Sequence, residues 1–262
     1  MSWSHSRWKG SPIGLKDIVP RTMRSWLRRR AQDAGQELLF LDRVTDWSVL
    51  RKVRPYRREF GRRRGKPIDR YYIEQFLTTN SSLIRGFVAE IGDDEYTKRF
   101  GRAAVSHSDI LDVNETNARR TVAIDLSLTN SVPECVYDCI ICTQTLFQIF
   151  DYDAAIQSLY RMLKPDGVVL VTVPGISQSV YGALLAGAGS DFWRFTSISA
   201  ARIFGQIFGD RNVTVSTYGN VLSATAFLHG IVQEELTQEE LDYHDPDYEV
   251  SIAVKATKRI HD

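Results

Sequence analysis

From residue 67 onward, short apolar runs alternate with segments whose apolar positions recur every three or four residues. Ile68, Tyr72 and Phe76 fall at helical spacing and predict a helix over 69–78. Apolar runs rich in branched residues predict strands over 87–91, 103–108, 121–124, 137–143 and 168–173. The second of these is expected to end near Asp109 and the third at Asp125. A short helix over 96–100 is closed by Gly101, and further helices are expected over 154–163 and 199–208, the former followed by a Lys-Pro-Asp-Gly turn at 164–167. The run 168–173 is apolar throughout, the mark of a strand covered on both faces. Residues 212–218 and 248–257 alternate with period two and predict a terminal antiparallel pair. Strands alternating with helices imply a parallel core sheet. The expected architecture is a Rossmann-like, doubly wound, mostly parallel seven-stranded α/β sheet with an antiparallel last strand.

The stretch from Gly86 to Tyr96 joins the first strand to a helix start through a tight turn at Gly92. That is the layout of a cofactor loop at the carboxyl edge of an α/β sheet. Where dinucleotide loops carry further glycines, this one carries Asp93, Asp94 and Glu95. The positive end of a helix dipole tolerates those acids, but a pyrophosphate is repelled by them. A cofactor bearing a sulfonium and an ammonium group is not, so the loop favours S-adenosylmethionine (SAM). Acids also close the early strands: Glu90 the first, Asp109 the second, Asp125 the third.

Charge divides the chain. Among 262 residues, 33 Lys and Arg nearly balance 32 Asp and Glu, yet the stretch 21–66 is strongly basic and 234–249 is acidic. Residues 1–64 are read as a basic, partly helical extension and 65–262 as the main domain. The segment 21–32 reads either as a helix packed by Met23, Trp26 and Leu27 or as a peripheral contact with a membrane surface or acidic glycan. The basic run 57–66 reads as a linker or an approach to the site; no nucleic-acid reader motif accompanies it, and nucleic acid is not an expected partner. No signal peptide or membrane-spanning run is evident, which predicts a cytoplasmic location. Cys135, Cys139 and Cys142 match the C-x3-C-x2-C spacing of an iron–sulfur ligand set. Cys139 and Cys142, however, fall three apart on a predicted strand and so face opposite sides. Oligomeric state is not legible in the sequence.

With those residues in place, the chain resembles class I SAM-dependent methyltransferases of the methyltransferase-11-like group, of the type associated with glycosyltransferases, over roughly residues 65–257. The resemblance rests on Glu90-Ile-Gly92, Asp125-Leu126, the stretch Tyr137 to Gln148, Leu163 to Gly167, Val171 to Gly175 and Asp191 to Thr196. It implies that Gly92 lets the backbone approach the methionine moiety, with Glu90 and Asp93 near its amino-acid end. It implies Asp109 for the ribose, Asp125 and Leu126 for the adenine, and Thr143 and Gln144 along the methionine side. Gln148 stands where many relatives have histidine. The second and third loop glycines are replaced by Asp94 and Tyr96. The implied product is S-adenosylhomocysteine (SAH), and the implied acceptor is a hydroxyl of a sugar, glycan or other small molecule in glycan or natural-product assembly. A catalytically weak scaffold and a radical SAM enzyme are the alternatives.

Removing a proton from an alcohol calls for a base. His244, in an acid- and aromatic-rich loop, ranks first; His229, after the apolar run 224–228, ranks second. Trp193, Arg194, Tyr181 and Tyr218 are candidates for an acceptor pocket, because aromatic faces stack on sugar rings. No residue set has convincing metal-ligand spacing; Mg²⁺ is possible but not indicated.

Overall fold

The computed structural model describes residues 51–179 and 190–259. Seven strands form one sheet: β1 (Gly86–Ile91), β2 (Val105–Asp112), β3 (Val122–Ala123), β4 (Tyr137–Thr143), β5 (Leu163–Pro174), β6 (Val213–Tyr218) and β7 (Ser251–Thr257). Their order is β3-β2-β1-β4-β5-β7-β6. The pairs among β1 to β5 are parallel, and β7 runs antiparallel between β5 and β6. The chain order reverses between β1 and β4, so a crevice opens at their carboxyl ends.

Pleat alternation divides the core. In β4, Ile140 and Cys142 join the layer under α2 (Tyr152–Met162) and α3 (Ser197–Phe208), whereas Cys139 and Ile141 join the layer under α1 (Ile68–Thr79). The two cysteines therefore do face opposite ways, and burial pushes both thiols up to about 12, which keeps them neutral. Helix α1 buries Ile68, Tyr72, Ile73, Phe76 and Leu77, one stripe at three- and four-residue spacing. Asp151 caps α2 by accepting from the Ala154 amide at 3.0 Å, and Thr196 and Ser199 cap α3 reciprocally. Burying each large aliphatic side chain contributes roughly 1.5–3 kcal/mol.

Three expectations need correction. Strand β2 does not end at Asp109; it continues through Ile110 and Leu111 to Asp112, and Asp109 pairs with Ala89 in mid-sheet. The Lys-Pro-Asp-Gly turn is a bulge inside β5: Tyr137 pairs with Leu163 and Cys139 with Val168, so extra residues are looped out around Asp166, whose φ is 62°. The helix after the first loop is a single wide π turn, Thr97–Gly101.

The basic run at 57–66 is a docked strap, not a free linker. The Arg57 amide donates to the His229 carbonyl at 2.9 Å, and the Gln233 amide to the Lys66 carbonyl at 2.8 Å. Phe60 stacks on Phe227, and Arg64 pairs with Glu235 at 3.4 Å. Gly61, at φ +77°, lies against the Gly230 carbonyl, where a Cβ has no room. Among the described residues, no helix is long and apolar enough to cross a membrane.

Candidate functional site

The carboxyl ends of β1 and β2 meet at Gly92. Its amide donates to the Leu111 carbonyl at 2.9 Å, and its φ of +88° suits glycine. A Cβ built at Gly92 would meet nothing within 4 Å. The turn thus presents bare backbone to open space, a cradle for a ligand moiety.

Glu90 is 2% exposed. Its carboxylate turns back under the loop and accepts from the Thr97 amide at 2.7 Å and the Tyr96 amide at 3.2 Å. Burial, and secondarily the neighbouring Asp93, push its pKa up to about 8 against the opposing Thr97 bond. Glu90 therefore shapes the turn from beneath. Asp93 accepts from the Glu95 amide at 3.0 Å.

Asp94 does not stand free in the loop. It is buried, pairs with Lys98 at 2.6 Å and also with Arg119. Burial works to raise its pKa, but those two cations outweigh it and hold the carboxyl below its usual range. One of the three loop acids is thereby neutralised by the protein itself.

Asp109 lies away from this turn. It accepts from Thr121 Oγ1 at 2.8 Å and from the Tyr137 hydroxyl at 3.1 Å, with His107 Nε2 at 3.3 Å. Burial, and then Asp109 itself, hold the Tyr137 phenol protonated. This is a staple across β2, β1 and β4. The strand-end acid is Asp112, tied through the Asn117 amide nitrogen, which donates to Asp112 Oδ2 at 2.7 Å and to the Gly92 carbonyl at 2.8 Å. Asp125 lies two residues past the end of β3; one oxygen accepts from the Ser127 amide and hydroxyl at 2.9 and 2.7 Å. Leu126 beside it is buried.

On the other side, Thr143 ends β4 opposite Thr172. Gln144 follows at φ 48°, and its buried Nε2 has no partner among the described residues. An orphaned buried donor at the carboxyl end of a strand suits a polar ligand.

The sequence reading missed Asp69 and Arg70 in the first turn of α1. Arg70 Nη1 donates to the Tyr96 hydroxyl at 2.8 Å and feels the charges of Asp69 and Asp93. Asp69 accepts from the Arg70 amide at 2.9 Å, and burial raises its pKa against the pull of Arg70 and Arg62. In sequence these two look like any solvated first-turn pair; only the fold brings them to the loop.

The two histidines are not brought to this turn. His244 Nε2 lies 2.8 Å from Thr217 Oγ1 on edge strand β6, which stands four places from β1 in the sheet, about 19 Å across at the usual strand spacing. His229 caps the C-terminus of α4 (Val221–Leu228), with its ring against Tyr56. Trp193 Nε1 donates to the carbonyls of Ile149 and Phe150 at 3.1 and 3.2 Å. Arg194 pairs with Asp191 and lies over Phe147. Around them, Phe150 and Phe192 are exposed and meet edge to face. Tyr218 stacks on Tyr72. Tyr181 lies outside the described residues. Among the described residues, no group of three or more metal-type ligands gathers.

A methyltransferase-domain family model matches residues 73–214, more than half of the 262 residues. Among solved structures, a SAM-dependent methyltransferase from Archaeoglobus fulgidus is similar at 13% identity and TM-score 0.47, covering 72% of this chain and 94% of that one. One from Mesorhizobium loti is similar at 12% identity and TM-score 0.48, covering 72% and 97%. The N-methyltransferase NodS from Bradyrhizobium japonicum, in complex with SAH, is similar at 13% identity and TM-score 0.45, covering 75% and 90%. No curated protein matches.

Proposed function

Because this chain belongs to the methyltransferase-domain family and is a class I SAM-dependent methyltransferase in fold, we propose that it methylates a hydroxyl of a sugar, glycan or similar small molecule. The observation that carries the reading is the bare turn at Gly92, at the carboxyl end of β1. Bare backbone at Gly92 faces open space after β1, and exposed Phe150 and Phe192 follow β4 and β5.

SAM, when bound, supplies a methyl group on a sulfonium. Gly92 would admit its methionine moiety, and Arg70 beside Asp93 offers the cation for its carboxylate. Glu90 keeps the turn in shape. Asp112 takes the ribose role first expected of Asp109, since Asp112 closes β2 beside Gly92. Asp125 and Leu126 bound the adenine end, and Thr143 with the unpartnered Gln144 amide bounds the methionine side. An acceptor ring fits the aromatic faces of Phe150 and Phe192, while Trp193 and Arg194 hold the loops that present them.

The proton acceptor we assign is Asp69, in place of His244 and His229. Burial raises its pKa as it does that of Glu90; Glu90 is taken up by the Tyr96 and Thr97 amides, whereas Asp69 accepts from the Arg70 amide through one oxygen. With SAM held there, its methyl group would pass to the acceptor oxygen and leave a neutral thioether, while Asp69 would take up the hydroxyl proton.

The test is incubation with SAM and a panel of glycosides, with SAH and methyl ethers followed by mass spectrometry. Methyl ethers that need Asp69, with SAH binding retained in Asp69→Asn, support the reading. SAM binding with methylation of amines alone would overturn the hydroxyl acceptor, and no SAM binding would overturn the cofactor site.

A further inference from the structure

We infer that α4 and the strap form a docking face for an anionic membrane surface. This goes beyond methyl transfer and uses none of the residues assigned to it.

Helix α4 buries Ser223, Ala224, Ala226 and Phe227, the last three packing with Ile68 and Tyr72 of α1 and with Leu241 and Val250. Its other side remains apolar: Val221, Leu222 and Leu228 are exposed. Positions 221, 222, 225 and 228 share one helical face. Thr225, between them, turns its hydroxyl back onto the Val221 carbonyl at 2.8 Å, so the stripe loses its one polar group to the helix backbone. An aliphatic stripe left facing outward marks a contact surface.

Both ends of the stripe are extended. At the N-terminus, Asn220 Nδ2 donates to the Tyr243 carbonyl at 2.7 Å, and the Tyr243 ring is 66% exposed. At the C-terminus, the strap is fixed to His229 and Phe227 by the Arg57 amide, Tyr56 and Phe60. There Val53 is 98% exposed and Tyr56 is also exposed. Between residues 53 and 64 the chain has six arginines and one acid, Glu59, a net +5. Arg54, Arg57, Arg58, Arg62 and Arg63 are exposed. The nearest acids across the seam are engaged: Glu235 with Arg64, and Glu234 with the Lys66 amide at 3.1 Å.

Aliphatic and aromatic side chains with a cluster of arginines at one end are the composition of an interfacial membrane contact. Nucleic acid would match the arginines but leave Val221, Leu222 and Leu228 without a partner. A second copy, setting the exposed acids of 239–247 beside Tyr243 against these arginines, is the competing occupant, and the oligomeric state in the test below separates it.

The test uses the full chain and sedimentation with vesicles, either phosphatidylcholine alone or with about a third phosphatidylglycerol. The expected result is capture by the anionic vesicles alone. Binding should weaken about tenfold or more in Leu222→Glu/Leu228→Glu and in Arg58→Glu/Arg62→Glu, and raised salt should weaken wild-type binding as well. SAH binding by calorimetry shows that each variant is folded. The inference is overturned by absence of vesicle binding, by binding that α4 variants leave unchanged, or by a dimer that the α4 variant splits without any vesicle binding.

Discussion

The Asn117 carboxamide holds the Gly92 carbonyl at 2.8 Å, and the same nitrogen reaches Asp112 at 2.7 Å. One side chain from the loop after β2 thus fixes both the cofactor turn and the acid that closes β2. Asn117→Ala should lower SAH affinity about tenfold by calorimetry, in line with loss of a bond to a charged group. Asp112→Ala should do at least as much. Unchanged affinity in both would remove Asp112 from the site.

Asp109 should behave differently. Its partners are Thr121, Tyr137 and His107, so Asp109→Asn should cost stability, on the order of 1–3 kcal/mol in denaturant unfolding. SAH affinity should hold within about twofold, a shift worth under half a kcal/mol.

Gly92→Ala separates strain from function. The only folded-state cost is the positive φ, about 1–2 kcal/mol, because nothing lies near the new methyl group. The methyl group would occupy the space assigned to the ligand. A small drop in thermal midpoint should accompany a loss of SAH binding far larger than the stability change.

Stability should depend on Glu90 in a defined window. Burial raises its pKa from 4.5 to about 8. Between those values the folded chain holds a proton that the unfolded chain releases. This contribution therefore falls as pH rises through the window, by a few kcal/mol in order of magnitude, and levels off above it. Glu90→Gln should flatten the slope of unfolding free energy between about pH 5 and 8. An unchanged slope would show that Glu90 is ionised across that range.

The sheet was legible where one residue type dominates locally. Strand β4 and helix α1 matched their predicted spans closely, because unbroken apolar runs and a clean helical stripe need no distant partner to be recognised. Strand β2 was cut short because Asp109 reads as a strand end; its partner Tyr137 lies 28 residues away. The strap was missed for the same reason, since Gly61 fits only against Gly230. The partners of Asp94 are not legible in sequence, because Arg119 reaches it from a separate loop. The turn at Gly92 was visible in sequence, whereas Asp69 and Arg70 came to it only through the packing of α1.

The position of β7 constrains the order of assembly. Among the described residues β6 pairs with β7 alone, and β7 lies between β5 and β6. During synthesis β6 therefore emerges with no neighbour, and one edge of β5 stays open, until residues 251–257 have been made. Both are unpaired edges in that interval, the state in which strands are most prone to pair with another chain. A ribosome pause before β7 is thus the point at which this protein is most exposed to misassembly.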